Sequence, residues 1–204
     1  MVAYNMRYSP TVQRARELLP LPDLVTGMMV NDRWDDAYWA QDPIQGGGNV
    51  LSQGGHTVDL ITFLAGQPPL RVSAVAANRT HPGHARVDHI VAAIEFANGA
   101  IGSWVQGDSG ASSFTSKFHF SLRGGGDICI VPHDRLKRGV YRVGQRTEEM
   151  IRSGEEALWL QDRHFVKRAD TSRLAAQADP SRAGILSTPR IEHARASEDC
   201  PGNQ

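Results

Sequence analysis

The stretch that carries most of the chemistry runs Gly46-Gly47-Gly48-Asn49-Val50-Leu51-Ser52-Gln53-Gly54-Gly55-His56-Thr57-Val58-Asp59. Three glycines opening a helix leave backbone amides without intrahelical partners, and Gly47 at their centre is a candidate ligand contact. On the helix that follows, Ser52 and His56 are four residues apart and share a face. Asp59, three residues further on, is within reach of the imidazole and would fix its tautomer. A histidine poised in this way can act as a general acid or base. Spacing alone favours a plainer reading, in which the glycines permit tight packing and the histidine is a satisfied core or capping residue.

Other candidates carry less. GGGNVL lacks the G-x-G-x-x-G order after a convincing strand and the G-K-[ST] ending of a phosphate loop. Gly124-Gly125-Gly126 lies between two strand-like runs and reads as a turn. His81, His84 and His89 cluster in THPGHARVDH, but Pro82 and Gly83 make a turn of it. No cysteine or well-spaced carboxylate completes a tetrahedral metal site there, so a solvated loop is expected. Trp159, His164 and Phe165 share a predicted helix, where packing is the expectation. Tyr4, Asn5, Arg7 and Tyr8 form a polar-aromatic run suited to an edge strand. Arg7 has either a carboxylate or an anionic or hydroxylated ligand as its partner, a surface salt bridge being the commoner fate.

The elements that must position these residues follow from pattern. Pro10 suits a first helical turn after a Ser9 cap, and TVQRARELL continues it until Pro20 and Pro22. LVTGMMV has strand composition, and NDRWDDAYWAQDPIQGGG reads as an exposed aromatic loop. From Asn49 the spacing of Leu51, Val58, Ile61 and Leu64 predicts a helix, ended by Gly66 and the prolines after it. Gly54 and Gly55 each cost such a helix about 1 kcal/mol, which calls for a close approach by backbone or ligand. Then come LRVSAVAA, HIVAAIEFA joined by Asn98-Gly99 to AIGSWVQG, SKFHFSLR, DICIV and RGVYRV. Asn-Gly between alternating apolar runs marks a hairpin. Helices before and after a run of strands predict an α+β domain, with an open-faced, largely antiparallel sheet covered by helices on one face. EEALWLQDRHFVKRA and SRAGILSTPRIEHARA are predicted helical, the second broken or kinked by Pro189.

With 204 residues, one domain is expected over 1–196, followed by a disordered tail over 197–204. The 22 basic and 22 acidic residues balance, which disfavours nucleic acid and anionic membrane surfaces as partners. Cys129 and Cys200 form neither a disulfide framework nor a zinc spacing. Without a long apolar run or a signal-peptide pattern at the start, a reduced, cytoplasmic protein is expected.

Two segments together resemble the glucose-fructose oxidoreductase and inositol dehydrogenase family (Gfo/Idh/MocA). Tyr4-Asn5-Met6-Arg7-Tyr8-Ser9-Pro10 is similar to the run that follows that family's nucleotide-binding domain. GGGNVLSQGGHTVDLITFLAG is similar to its glycine loop and the helix bearing its catalytic histidine, with His-x-x-Asp intact at His56 and Asp59. The strands, WLQDRHFV and, more faintly, RAGILSTPRIEHA extend the likeness over most of the chain.

The resemblance implies a C-terminal substrate domain whose open sheet makes oligomer contacts, and a sugar, polyol or sugar-acid ligand. It implies His56 as the acid-base residue, with Asn5, Arg7, Gly47 and Ser52 near the substrate. NAD or NADP is the family's cofactor, but the Rossmann domain and lysine that serve it would precede Tyr4. The chain alone is therefore expected to bind no cofactor, whether truncated or docking on a Rossmann-domain partner chain. Ser52 stands where the family has an aspartate, and a hydroxyl cannot supply a carboxylate's charge. Two alternatives stand beside a redox half: a non-catalytic oligomerisation or binding module, and a cofactor-independent lyase or epimerase using His56.

Overall fold

The computed structural model describes residues 4–110, 117–125, 127–132, 136, 138–151 and 159–165. The chain divides into two compact units, Met1–Arg163 and His164–Gln204, and the sheet and helices below belong to the first. In chain order they are α1 (Pro10–Leu18), β1 (Leu24–Asp32), α2 (Asn49–Ser52), α3 (Gly54–Ala65), β2 (Pro69–Ala77), β3 (His89–Phe96), β4 (Ile101–Gly110), β5 (Phe118–Gly124), β6 (Asp127–Pro132), β7 (Arg138–Val143) and β8 (Arg146–Ile151). The eight strands form one sheet in the order β2-β3-β4-β1-β5-β6-β7-β8.

Every neighbouring pair is antiparallel except β1 and β4, which run parallel from Leu24↔Ile101 to Val30↔Gly107. The α+β class with an open, largely antiparallel sheet and helices on one face is thus observed. The Asn98-Gly99 hairpin is present, with Gly99 at φ 85° and the Asn98 side chain accepting from the Ala100 amide.

Side-chain alternation along β1 assigns the faces. Val25, Gly27, Met29 and Asn31 are buried, while Thr26, Met28, Val30 and Asp32 are less so. The buried side packs on α3 through Leu60, Ile61 and Leu64, and the core extends through Phe96, Phe120, Leu122 and Tyr141. What sets the distance between helix and sheet is missing side chains. A Cβ on Gly27 would lie 2.6 Å from Ile61 Cγ1, one on Gly54 2.6 Å from Trp104 Cζ2, and one on Gly102 2.9 Å from Phe96 Cε2. The close approach expected at Gly54 is therefore made by a tryptophan ring, not by backbone or ligand.

The opposite face is uncovered. Val75 is 79% exposed, Val91 58% and Ile101 45%, with an Arg71–Glu95 ion pair at 2.7 Å beside them.

Four expectations change. Residues 5–8 form a 3-10 turn, not an edge strand, because Arg7 is drawn inward by Asp59 and the Gln13 side chain caps the Arg7 carbonyl. Ser9 does not cap α1 with its side chain; its hydroxyl meets Thr11 Oγ1 at 2.8 Å instead. The helix expected from Asn49 breaks at Gln53 into α2 and α3. On the helical residues 159–165, Trp159 and Phe165 are exposed, not packed, and Arg163 stacks on the Trp159 ring at 5.3 Å.

β8 was not foreseen, since RTEEMI has no apolar alternation; Arg14 of α1 holds it through Glu148, at 3.1 and 2.9 Å. The expected last helix, Cys200 and the tail lie outside the described residues. Among those described, no helix is long and apolar enough to cross a membrane.

The spacing argument is testable at Gly27. Ile61 and Phe120 are both fully buried and cannot swing aside. Gly27→Ala is expected to destabilise by ~1–3 kcal/mol in urea unfolding. Gly83→Ala, with nothing within 4 Å of its added carbon, should leave the midpoint in place.

Candidate functional site

His56 stands in the first turn of α3, its amide bonded to the Gln53 carbonyl at 3.0 Å. Its ring meets Tyr4 edge-on, with centroids 5.5 Å apart. Nδ1 is shut off from solvent with no hydrogen-bond partner. Burial, aided by the positive charge of Lys117, lowers the imidazole's pKa below its ordinary value, and the attraction of Asp59 does not offset this. The ring is therefore neutral at pH 7, a state able to accept a proton.

The expected Asp59 partnership is corrected. Asp59 is buried and its carboxylate takes Arg7 instead, Nε donating to Oδ2 at 2.7 Å and Nη2 to Oδ1. A guanidinium fork satisfies both carboxylate oxygens where an imidazole N–H would satisfy one. Of the two fates open to Arg7, carboxylate pairing is the one observed. The guanidinium also lies 5.4 Å from the Phe63 ring and 6.0 Å from that of Tyr4. Arg7, Tyr4, Asp59 and His56 thus form one constellation.

The remaining candidates are placed more loosely. Asn5 opens the 3-10 turn, and Ser52 ends α2 on the far side of the Gln53 break from His56. Neither makes a side-chain hydrogen bond among the described residues. Gly47 and Gly48 have φ of 73° and 83°, where glycine is favoured, and their amides are taken by Asp42 and Ala40 carbonyls at 2.7 and 2.8 Å. The amides expected to face a ligand at Gly47 are closing a turn.

A buried polar lattice holds this region to the sheet. Gln106 of β4 accepts from Thr57 of α3 at 2.9 Å and donates to Asn49 of α2 at 2.7 Å. Nearby, His81 is not in a solvated loop: it is 3% exposed, with Nδ1 2.5 Å from Asp36 and Nε2 2.7 Å from Asp108. Burial pushes the Asp108 carboxyl up, and the hydrogen bonds from His81, the Trp34 amide and Gln41 offset this only in part.

His89 lies between Asp88 at 2.5 Å and Ser109 at 2.7 Å. Burial alone would raise the Asp88 carboxyl, but the Arg79, His81 and Thr80 amides and the His89 ring together lower it to about 2. The pairing of His81 with Asp36 and Asp108, and of His89 with Ser109, does not show in linear spacing, since those partners lie on other loops and strands. Only the run of histidines hinted at them.

The site does not fit a dinucleotide. Gly46–Gly48 lead into a four-residue helix, too short to present a dipole to a pyrophosphate. The Gly46 position sits against the Ala40 backbone, where an added carbon would lie at 2.2 Å.

The fold is an α+β domain with an open sheet, helices on one face and a histidine beside a glycine turn. Residues 22–121 match the family model described as the GFO/IDH/MocA C-terminal domain, and this region of the chain belongs to that family. No curated protein sequence matches it.

Among solved structures, a putative myo-inositol dehydrogenase from Sinorhizobium meliloti 1021 is similar over 84% of this chain and 55% of its own, with 16% identity and TM-score 0.66. Levoglucosan dehydrogenase in complex with NADH and levoglucosan is similar over 74% and 46%, with 19% identity and TM-score 0.63. The transcriptional regulator Gal80p from Kluyveromyces lactis is similar over 83% and 51%, with 16% identity and TM-score 0.66. At these identities the likeness establishes the fold. The chain spans about half the length of these structures.

Breaking the Arg7–Asp59 pair from one side should be costly. Arg7→Met is expected to lose about 2 kcal/mol, because it strands a buried carboxylate. Adding Asp59→Leu should restore much of the loss in the same urea titration. Equal additive losses in the two variants would show that the pair has no coupling.

Proposed function

We propose that this chain supplies the substrate-side half of an NAD(P)-dependent oxidoreductase acting on a sugar or polyol. His56 moves the proton at the carbon whose oxidation state changes, with Asn5, Arg7, Gly47 and Ser52 around the ligand. The observation that carries this reading is a neutral histidine with no hydrogen bond to either ring nitrogen among the described residues. Family membership and the enzymes among the similar folds support it.

Nicotinamide, held on a dinucleotide-binding domain, would take the hydride; the chain's own share is the proton. A neutral imidazole accepts the hydroxyl proton of the substrate and returns it in the reverse direction. Asp59, bonded twice to Arg7, lies near His56, and its attraction favours the imidazolium formed on the way. Ser52 offers a hydrogen bond and no charge, which leaves His56 as the group that carries the proton.

Calorimetry of the chain with a polyol panel, NAD and NADP tests this reading. A polyol should bind, His56→Ala should weaken it about tenfold, the worth of one hydrogen bond, and neither nucleotide should bind. Tight nucleotide binding, or polyol binding indifferent to His56→Ala, would overturn it.

A second reading, an oligomerisation module, is favoured by the uncovered face with Val75, Val91 and Ile101 exposed. The likeness to Gal80p, a regulator, is consistent with a non-enzymatic use of this fold. On this reading the chain sediments as a dimer, and Val91→Glu converts it to monomer without altering polyol binding. A wild-type monomer at high concentration would rule it out.

A further inference from the structure

The loop between β1 and α2, together with the turn before β3, encloses a cavity of about 650 Å³ that no residue of α3 lines. Its wall includes Tyr38, Trp39, Asp42, Gln45, His84 and Arg86. Trp39 is 56% exposed and Tyr38 43%, which leaves their rings open to a ligand. Trp34 meets Tyr38 at 5.2 Å and Tyr38 meets Trp39 at 5.7 Å, so the rings brace one another.

Arg86 is the one Lys or Arg among the lining residues. Its Nε and Nη1 are buried with no hydrogen-bond partner, and Nη2 reaches only His84 Nδ1, at 3.1 Å. Buried guanidinium N–H groups without an acceptor are costly, and a planar oxyanion is the group that relieves them. Asp42 is close enough for the Arg86 charge to help hold its carboxyl below the ordinary value, but no hydrogen bond joins the two, and the hydrogen bonds of the nearby carboxylates go to other groups. Asp36 takes Arg33 at 2.9 Å and His81 at 2.5 Å, and Asp42 Oδ1 takes the Ile44 and Gln45 amides at 2.8 and 2.7 Å. Gly48 lets the Arg86 stem lie against the turn, with Cδ and Nε 3.6 Å from where a Cβ would be.

We propose that this cavity is a second ligand site, for a monosaccharide carrying an oxyanion, with Arg86 holding the charged group and Trp39 and Tyr38 packing against the apolar edge of the ring. The volume falls in the range of small-molecule sites, and aromatic walls with few polar groups are their usual lining. Amphipathic rings suit a ligand that is apolar on its C–H face and polar at its rim.

Calorimetry and tryptophan fluorescence with D-glucuronate, glucose 6-phosphate, D-glucose and inorganic phosphate test the site. One or both charged sugars should bind about tenfold or more tighter than glucose, the carboxylate and phosphate arms telling which oxyanion is taken. Arg86→Gln should abolish that preference, and Trp39→Ala, at an exposed position, should weaken binding with an unchanged thermal melt. His56→Ala should leave both intact, so that failure of the proton-transfer reading is seen separately. Glucose binding as well as glucuronate and glucose 6-phosphate, phosphate alone binding as well as the charged sugars, or indifference to both variants would overturn the proposal.

Discussion

The position of every residue in the candidate site depends on how closely α3 lies on β1 and β4. Gly27 and Gly102 on the strands and Gly54 on the helix leave out side chains at the points of contact, and Ile61, Phe96 and Trp104 fill the gaps. A glycine in a helix costs about 1 kcal/mol in backbone freedom. Dense packing of Ile61 and the Trp104 ring against the vacated space offsets that cost, because each buried apolar group contributes comparably or more.

That close approach also makes the polar end of the interface possible. Once α3 is seated, Thr57 reaches Gln106, and Gln106 reaches Asn49, so α2 and α3 are tied to one strand by buried hydrogen bonds. Polar groups at this depth must be paired, which makes the arrangement specific as well as stable. The Arg7–Asp59 pair does the same for the segment before α1. It fastens the 3-10 turn to α3 and places Tyr4 against His56. His56 keeps its nitrogens unengaged because its neighbour on the helix is held by an arginine.

The two ends of the domain are therefore built differently. Around α3 the chain spends most of its polar groups on one another and leaves His56 Nδ1 without a hydrogen bond among the described residues. Across the loop before α2, aspartates are capped by amides and by His81, while Nε and Nη1 of Arg86 are left without a hydrogen-bond acceptor among the described residues. On the far side of the sheet the exposed valines leave apolar area that a second surface could cover.

Local pattern was enough for the elements: Pro10 at a helix start, Asn98-Gly99 at a hairpin, alternation along β1, and the glycine turn before the histidine helix were all legible, because each depends on neighbours within a few residues. The α+β class and the family could be read for the same reason. Partner choice could not. Asp59 was expected on His56 by spacing, but Arg7, 52 residues away along the chain, takes it, because a fork bonds both oxygens. His81 was expected in solvent and is buried between carboxylates contributed by two other segments. β8 was hidden because its pairing rests on β7 and on Arg14, not on its own apolar residues. Sequence by itself determined which elements form and which residues are chemically able. Tertiary structure decided which of those are neutralised by a partner and which are left unengaged, since long-range pairing is settled by three-dimensional proximity that linear spacing does not encode.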